Sequence, residues 1–177
     1  MKQYSKRMVI VHWLTLALLI TAWFWGDSLA EATDESKATL IEYIRHIAVG
    51  SAILLLTAMR LLFRSTDGTP PPIGQTLMDK LAKGVHHALY TTLFVLPVSG
   101  MVTVFTSDAG KALLGGNESL LPKEDGYKHV FAHEVHEVLV TVLIALVVVH
   151  ILGAIKHQFI VKDGLMERMM LRRIEEK

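Results

Sequence analysis

The sequence predicts an all-α integral membrane protein: one antiparallel four-helix bundle over residues 1–177, with both termini on the cytoplasmic side. Three observations predict it. Four runs are long and apolar enough to cross a bilayer, which takes about 20 residues. Lysine and arginine are dense in alternate connections and sparse in the others, as the positive-inside rule requires. Five of the nine histidines lie inside or at the edge of those runs, where an ionisable side chain is costly.

The first run is Met8 to Trp25, with His12 inside it and Trp23 and Trp25 placed for an aromatic belt. Its basic start and the Ser28-Leu29-Ala30 tripeptide resemble a signal peptide. However, a signal h-region is only about 7–15 residues long, so a retained helix is expected. The second run is Leu40 to Phe63, carrying Glu42, Arg45, His46 and Arg60. The third, Gly84 to Phe105, contains Pro97 and Gly100, which should bend it. The fourth extends from about Val130 to Phe159. A charged tail, 162–177, reads as a short surface helix. Short links favour an up-down-up-down order.

Lys2, Lys6 and Arg7, the link with Arg60, Arg64, Lys80 and Lys83, and the C-terminal basic residues mark the cytoplasmic side. Loops 26–39 and 106–129 then face the periplasm of a Gram-negative host. The absence of cysteine excludes disulfides, thiolate zinc, iron–sulfur clusters and covalent haem attachment. No stretch has the character of a nucleic-acid-binding arm.

His136 and His150 are fourteen residues apart on one helix. Fourteen steps of about 100° bring them within about 40° of the same face, and the rise between them is about 21 Å. They therefore occupy two depths. Helix two starts at the periplasmic face, so His46 matches His136. Helix one starts at the cytoplasmic face, so His12 matches His150, with His86 on helix three as a rival. Paired neutral imidazoles about 2 Å from iron would make bis-histidine, low-spin haem sites suited to electron transfer. The competing chemistries fit less well. His133-Glu134-Val135-His136-Glu137 lacks the H-E-x-x-H spacing of zinc proteases. Glu134 and Glu137 are too few for a carboxylate di-iron site. Four helices with no evident repeat make a poor transporter. His87, His129 and His133 read as interfacial, and Met59 and Met101 as packing.

An ordered set of short motifs runs through the chain. It comprises Tyr4-Ser5, His12-Trp13, Arg60-Leu61-Leu62-Phe63-Arg64 before the prolines, His86 with Tyr90, and Leu96-Pro97-Val98-Ser99-Gly100. His136-Glu137, His150, His157, Lys162-Asp163 and Arg168-Met169-Met170 complete it. Together they resemble the bacterial cytochrome b561 family, within the group that includes the b-type subunits of nickel–iron hydrogenases. The resemblance implies two b haems with His12, His46, His136 and His150 as axial ligands, and so demotes His86. It also implies a quinone site near the cytoplasmic face with His86 and His157 as candidates. Arg60, Arg64 and Lys83 are placed for haem propionates or lipid phosphates.

Some members of that family resemble superoxide oxidases, which reduce ubiquinone with electrons from superoxide. A basic entrance would help capture that anion. Here segments 26–43 and 106–129 hold nine acidic residues against four lysines, a balance of −5. The expectation is a di-haem carrier between a periplasmic donor and the quinone pool, in its sharpest form a superoxide:ubiquinone oxidoreductase of the inner membrane. The alternatives are a membrane-anchoring electron relay for a periplasmic redox enzyme, or a haem-free histidine-containing membrane protein.

Overall fold

A computed structural model describes residues 3–30, 39–71, 74, 76–122, 127 and 129–171. Four of its helices are long and apolar enough to cross a membrane: α1 (Lys6–Ala30), α2 (Leu40–Asp67), α3 (Leu77–Thr106) and the segment Phe131–Val161. A short helix, α4 (Asp108–Gly115), and a 3₁₀ turn (Glu118–Leu120) lie between α3 and α5 (Phe131–Lys156). α5 runs on into a π-helical turn, His157–Val161, and a 3₁₀ turn follows at Leu165–Met169.

Local chemistry explains where these helices start and stop. The apolar pattern places the third helix at Gly84, but it begins at Leu77. Thr76 caps it: the Asp79 amide donates to the Thr76 hydroxyl at 3.3 Å, and the Thr76 amide donates to the Asp79 carboxylate at 2.8 Å. At α2 the Thr39 amide donates to Glu42 at 2.7 Å. That helix ends at Gly68, whose φ of 73° is open to glycine at little cost. α1 continues through the Ser28-Leu29-Ala30 tripeptide. Residues 31–38 and 172–177 fall outside the described residues. Within the tail the expected surface helix is instead the Leu165–Met169 turn, with Arg168 buried.

Polarity is arranged inside out. Small hydroxyl residues Thr15, Thr57, Thr92, Ser99 and Thr103 are buried. Thr15, Thr57 and Thr103 each donate to the carbonyl four residues back, at 2.7–2.9 Å. Phe24, Leu55, Phe105, Val138, Phe159 and Ile160 are exposed. Small side chains let helices approach, and the large apolar ones suit a lipid surface. Ile53, Leu93 and Leu143 form the buried apolar layer, with Leu18, Val49, Leu89 and Val147 against it. The main helix pairings are α3 with α5, α1 with α2, and α2 with α3.

Contacts gather distant segments at each end. At one end Tyr4 donates its amide to the Arg168 carbonyl (3.1 Å), Trp13 Nε1 donates to Met169 O (3.0 Å), and Arg168 donates to Pro71 O (2.7 Å). Arg7 pairs there with Asp67 and lies 4.4 Å over the Phe63 ring. At the other end the Leu40 amide donates to Glu118 (3.1 Å), and the Tyr127 hydroxyl donates to that of Tyr43 (3.1 Å).

α4 folds back on α3 because Gly110 has no side chain. A Cβ there would stand 2.6 Å from the Val104 carbonyl oxygen. Gly110→Ala should therefore destabilise the protein by about 1–3 kcal/mol through overpacking. In detergent this is a Tm loss of about 2–4 °C per kcal/mol at this length. Gly115→Ala, with nothing within 4 Å of its Cβ, should leave Tm unchanged or slightly raised. Equal effects at the two glycines would refute this account of α4.

Candidate functional site

α5 carries His136 and His150 on one face, about 21 Å apart along its axis. α1 brings His12 to His150, with ring centroids 6.2 Å apart and planes at 70°. α2 brings His46 to His136, at 6.3 Å and 73°. Leu143 of the apolar layer lies midway between the two α5 histidines in sequence, so the pairs form separate levels. The four histidines are neither fully buried nor exposed.

The separation is informative. An imidazole nitrogen binds a transition metal at about 2.0–2.1 Å and lies roughly 1.1 Å from its own ring centre, so two imidazoles on opposite sides of one metal have centroids about 6.3 Å apart. Both pairs have that spacing. His86 also meets His150, but at 5.1 Å and 89°, an edge-to-face contact too close to admit an ion between the rings. His86 itself is exposed and donates Nδ1–H to the Ala82 carbonyl at 2.7 Å.

The surroundings orient the rings. His136 donates Nδ1–H to the Leu96 carbonyl at 3.0 Å, and the Ser99 hydroxyl lies 3.2 Å from the same nitrogen. Its Nε2 is thereby left with the lone pair a metal needs. Pro97, inside α3, adjoins that carbonyl, and Ser99 donates to it at 2.8 Å. His46 Nδ1 is buried with no hydrogen-bond partner among the described residues. Both rings back onto glycine: a Cβ at Gly26 would stand 3.0 Å from His46 Cε1, and one at Gly100 3.0 Å from His136 Cε1. Ring separation fits a bis-histidine haem at both levels, and at the outer level the His136 lone pair and the two glycine seats add to that fit.

The other level has a different neighbour. Arg60 donates to His12 Nδ1 at 2.7 Å and lies 5.6 Å over the Tyr90 ring. Sequence reasoning assigned Arg60 to propionates or lipid and did not place it on a histidine. It also missed Gly26, Ser99 and the Leu96 carbonyl as seats for the rings. The available signal was small residues within apolar runs, one helix away from a histidine.

The remaining predicted residues separate. His157 lies on the π-helical turn and donates Nδ1–H to Asp163 at 2.6 Å. Burial alone would raise the Asp163 carboxyl, but hydrogen bonds from His157 and the Leu165 amide outweigh it and hold the group below the usual carboxylate range. His157 and His86 are on different elements, with no direct contact between them. His87 and His129 are exposed. His133 stacks on Tyr127 with centroids 4.4 Å apart and lies 3.3 Å from Glu137. Burial, then the adjacent Tyr43, pushes the Tyr127 phenol far above its ordinary range, so it stays a hydrogen-bond donor. Met101 lines an apolar cavity of about 230 Å³ with Ile47, Phe105 and Leu113.

Comparison with known proteins supplies the chemistry. The family profile described as "Prokaryotic cytochrome b561" matches residues 3–171. Cytochrome b562 of Cereibacter sphaeroides is 26% identical, covering 94% of both chains. A probable superoxide oxidase, CybB, of Yersinia pestis is 27% identical over 96% of both chains. Cytochrome b561 homolog 1 of Escherichia coli is 27% identical, over 98% of this chain and 99% of its own. The chain belongs to the prokaryotic cytochrome b561 family, and is a multi-pass inner-membrane electron-transfer protein with b-type haem.

Proposed function

We propose that this protein is a di-haem b-type cytochrome carrying electrons from the periplasmic face of the inner membrane to the quinone pool. In its sharpest form it oxidises superoxide and reduces ubiquinone. The observation that carries the reading is the repeated separation of His12 from His150 and of His46 from His136, at 6.2 and 6.3 Å, on two levels of one helix.

In this reading His46 and His136 hold the outer haem, and His12 and His150 the inner one. Bound haem would supply one-electron chemistry, and two imidazoles holding each haem would leave no place on it for oxygen. Leu96 and Ser99 fix the His136 ring, and Gly26 and Gly100 leave room for the outer pair. Two superoxide anions give up one electron each and leave as oxygen. A quinone takes those two electrons and two protons. His157 lies at the end that the basic residues assign to the cytoplasm, oriented by Asp163 and with no partner on Nε2 among the described residues. It is suited to hold a quinone oxygen and its proton. His86, against His150, is the second candidate for that contact.

The acidic balance of the outer segments favours a second reading, an electron relay docking a basic periplasmic redox protein. Net charge there repels a small anion and attracts a cationic partner. The name of the Yersinia pestis relative favours superoxide.

A dithionite-reduced minus oxidised spectrum with haem quantified per chain should give two low-spin b haems. His46→Ala should remove the outer haem and His12→Ala the inner one, each leaving the other. A variant that kept both would break the pairing, and loss of the inner haem in His86→Ala alone would move that ligand to α3. Mixed with superoxide and ubiquinone, the protein should show haem reduction before quinol forms. No reduction by superoxide, with ready reduction by a basic periplasmic redox protein, would select the relay. Asp163→Asn should keep both haems and raise the KM for quinone several-fold, whereas an unchanged KM would remove His157 from the quinone contact.

A further inference from the structure

At the inner histidine level α2 holds an arginine that does not take the usual route out of a bilayer. Arg60 is seven residues before the end of α2, about 10 Å of helix rise. A long basic side chain so placed normally extends along the helix to the interface. Arg60 turns inward: its terminal nitrogen meets His12, its guanidinium faces Tyr90, and its Nε is buried without a hydrogen-bond partner.

A guanidinium offers five N–H donors and accepts nothing. Among the described residues no carboxylate lies within ion-pair distance of Arg60. Asp67, on the same helix, is taken by Arg7, and Asp79 of α3 is taken by the cap of its own helix. Glu134 and Glu137 of α5 lie near His136, about 21 Å from the level of His150. A desolvated cation without a counter-charge is strongly unfavourable. Moreover, once His12 gives its Nε2 lone pair to iron, its proton sits on Nδ1 and that ring no longer accepts from Arg60. The guanidinium then needs another acceptor, and its planar fork matches a carboxylate.

We propose that Arg60 forms an anion site at the inner level, that its occupant is a carboxylate of the inner haem, and that its positive charge favours the reduced state of that haem. This rests on the di-haem reading. Adding an electron makes the haem more negative, so a nearby cation stabilises the reduced form. Among the described residues no guanidinium contacts the outer pair, which is backed by glycine, a carbonyl and a hydroxyl. The difference biases electrons inward, toward the quinone.

The same oxyanion chemistry is offered by a lipid phosphate, so the test separates the two sources. Full-length haem-loaded protein is compared with Arg60→Lys and Arg60→Gln by spectroelectrochemical titration, with haem counted per chain. In Arg60→Gln the reduction equilibrium of the inner haem should fall at least tenfold, about 59 mV for one electron, with the outer haem unmoved. Arg60→Lys should show a smaller shift. Wild-type chain reconstituted with haem dimethyl ester, whose blocked carboxylates carry no charge, should shift the opposite way, its inner haem rising in potential by more than the outer one because a carboxylate held at a desolvated guanidinium is the more strongly felt. If Arg60→Gln does not assemble, the ester experiment on the wild-type chain decides alone. Unchanged potentials and haem content in Arg60→Gln would overturn the proposal. An ester without effect, together with a shift on removal of anionic lipid, would transfer the site to lipid phosphate and overturn it too. A wild-type chain holding fewer than two haems would instead bring down the di-haem reading and this inference with it.

Discussion

Imidazoles inside an apolar bundle must be paired or bound, and the rest of this structure is arranged around that requirement. A lone polar ring among hydrocarbon loses its water without compensation. α5 answers by placing two histidines fourteen residues apart on one face, so that two neighbouring helices can each present a partner. The apolar layer of Ile53, Leu93 and Leu143 separates the two levels. Hydroxyl side chains then line the interior and satisfy themselves on their own helices, which leaves the large apolar residues for lipid. The inside-out polarity and the low burial of α5 follow from a bundle whose centre is built around histidine pairs. Family membership, with its b-type haem, replaces the haem-free reading of those rings.

Most of the fold was legible because its governing signal is long and redundant. Eighteen or more apolar residues cannot be read as anything shorter, and the four runs reappear as helices. Their ends were less legible. Thr76 and Asp79 start α3 seven residues before the apolar run, since a capping box is a polar signal that hydropathy does not register. α4 was missed for a related reason. Its stability comes from the close approach of Gly110 to the Val104 carbonyl, a tertiary contact with no periodicity to announce it.

The site divides in the same way. Helical arithmetic alone placed His136 and His150 on one face and matched each with a partner of equal depth, and those are the rings that meet at 6.2 and 6.3 Å. It left His86 open at the level of His150. The 5.1 Å edge contact explains why: His86 has the right depth, and only its ring separation sets it apart from His12. The supporting shell was illegible. No sequence rule says that the carbonyl beside Pro97 orients a ring on α5, or that Gly26 on α1 makes space for His46 on α2. These are contacts between helices, and a single sequence does not reveal them.

The two levels also differ in kind, and this bears on direction. Both pairs have the same geometry, so geometry alone lets an electron move either way. What distinguishes them is the second layer: a carbonyl and a hydroxyl on His136, a guanidinium on His12. A neutral acceptor on an imidazole N–H makes the ring a stronger donor to a metal and favours the oxidised state. A cation does the opposite. In the proposed function an electron that enters at the outer level therefore finds the inner level more favourable, before any quinone arrives to remove it. In that reading the acidic balance of the outer segments would act in the same sense over longer range, since negative charge raises the energy of an electron held nearby. Directionality then follows from where a few fixed charges lie along one bundle, and no moving part is needed to produce it.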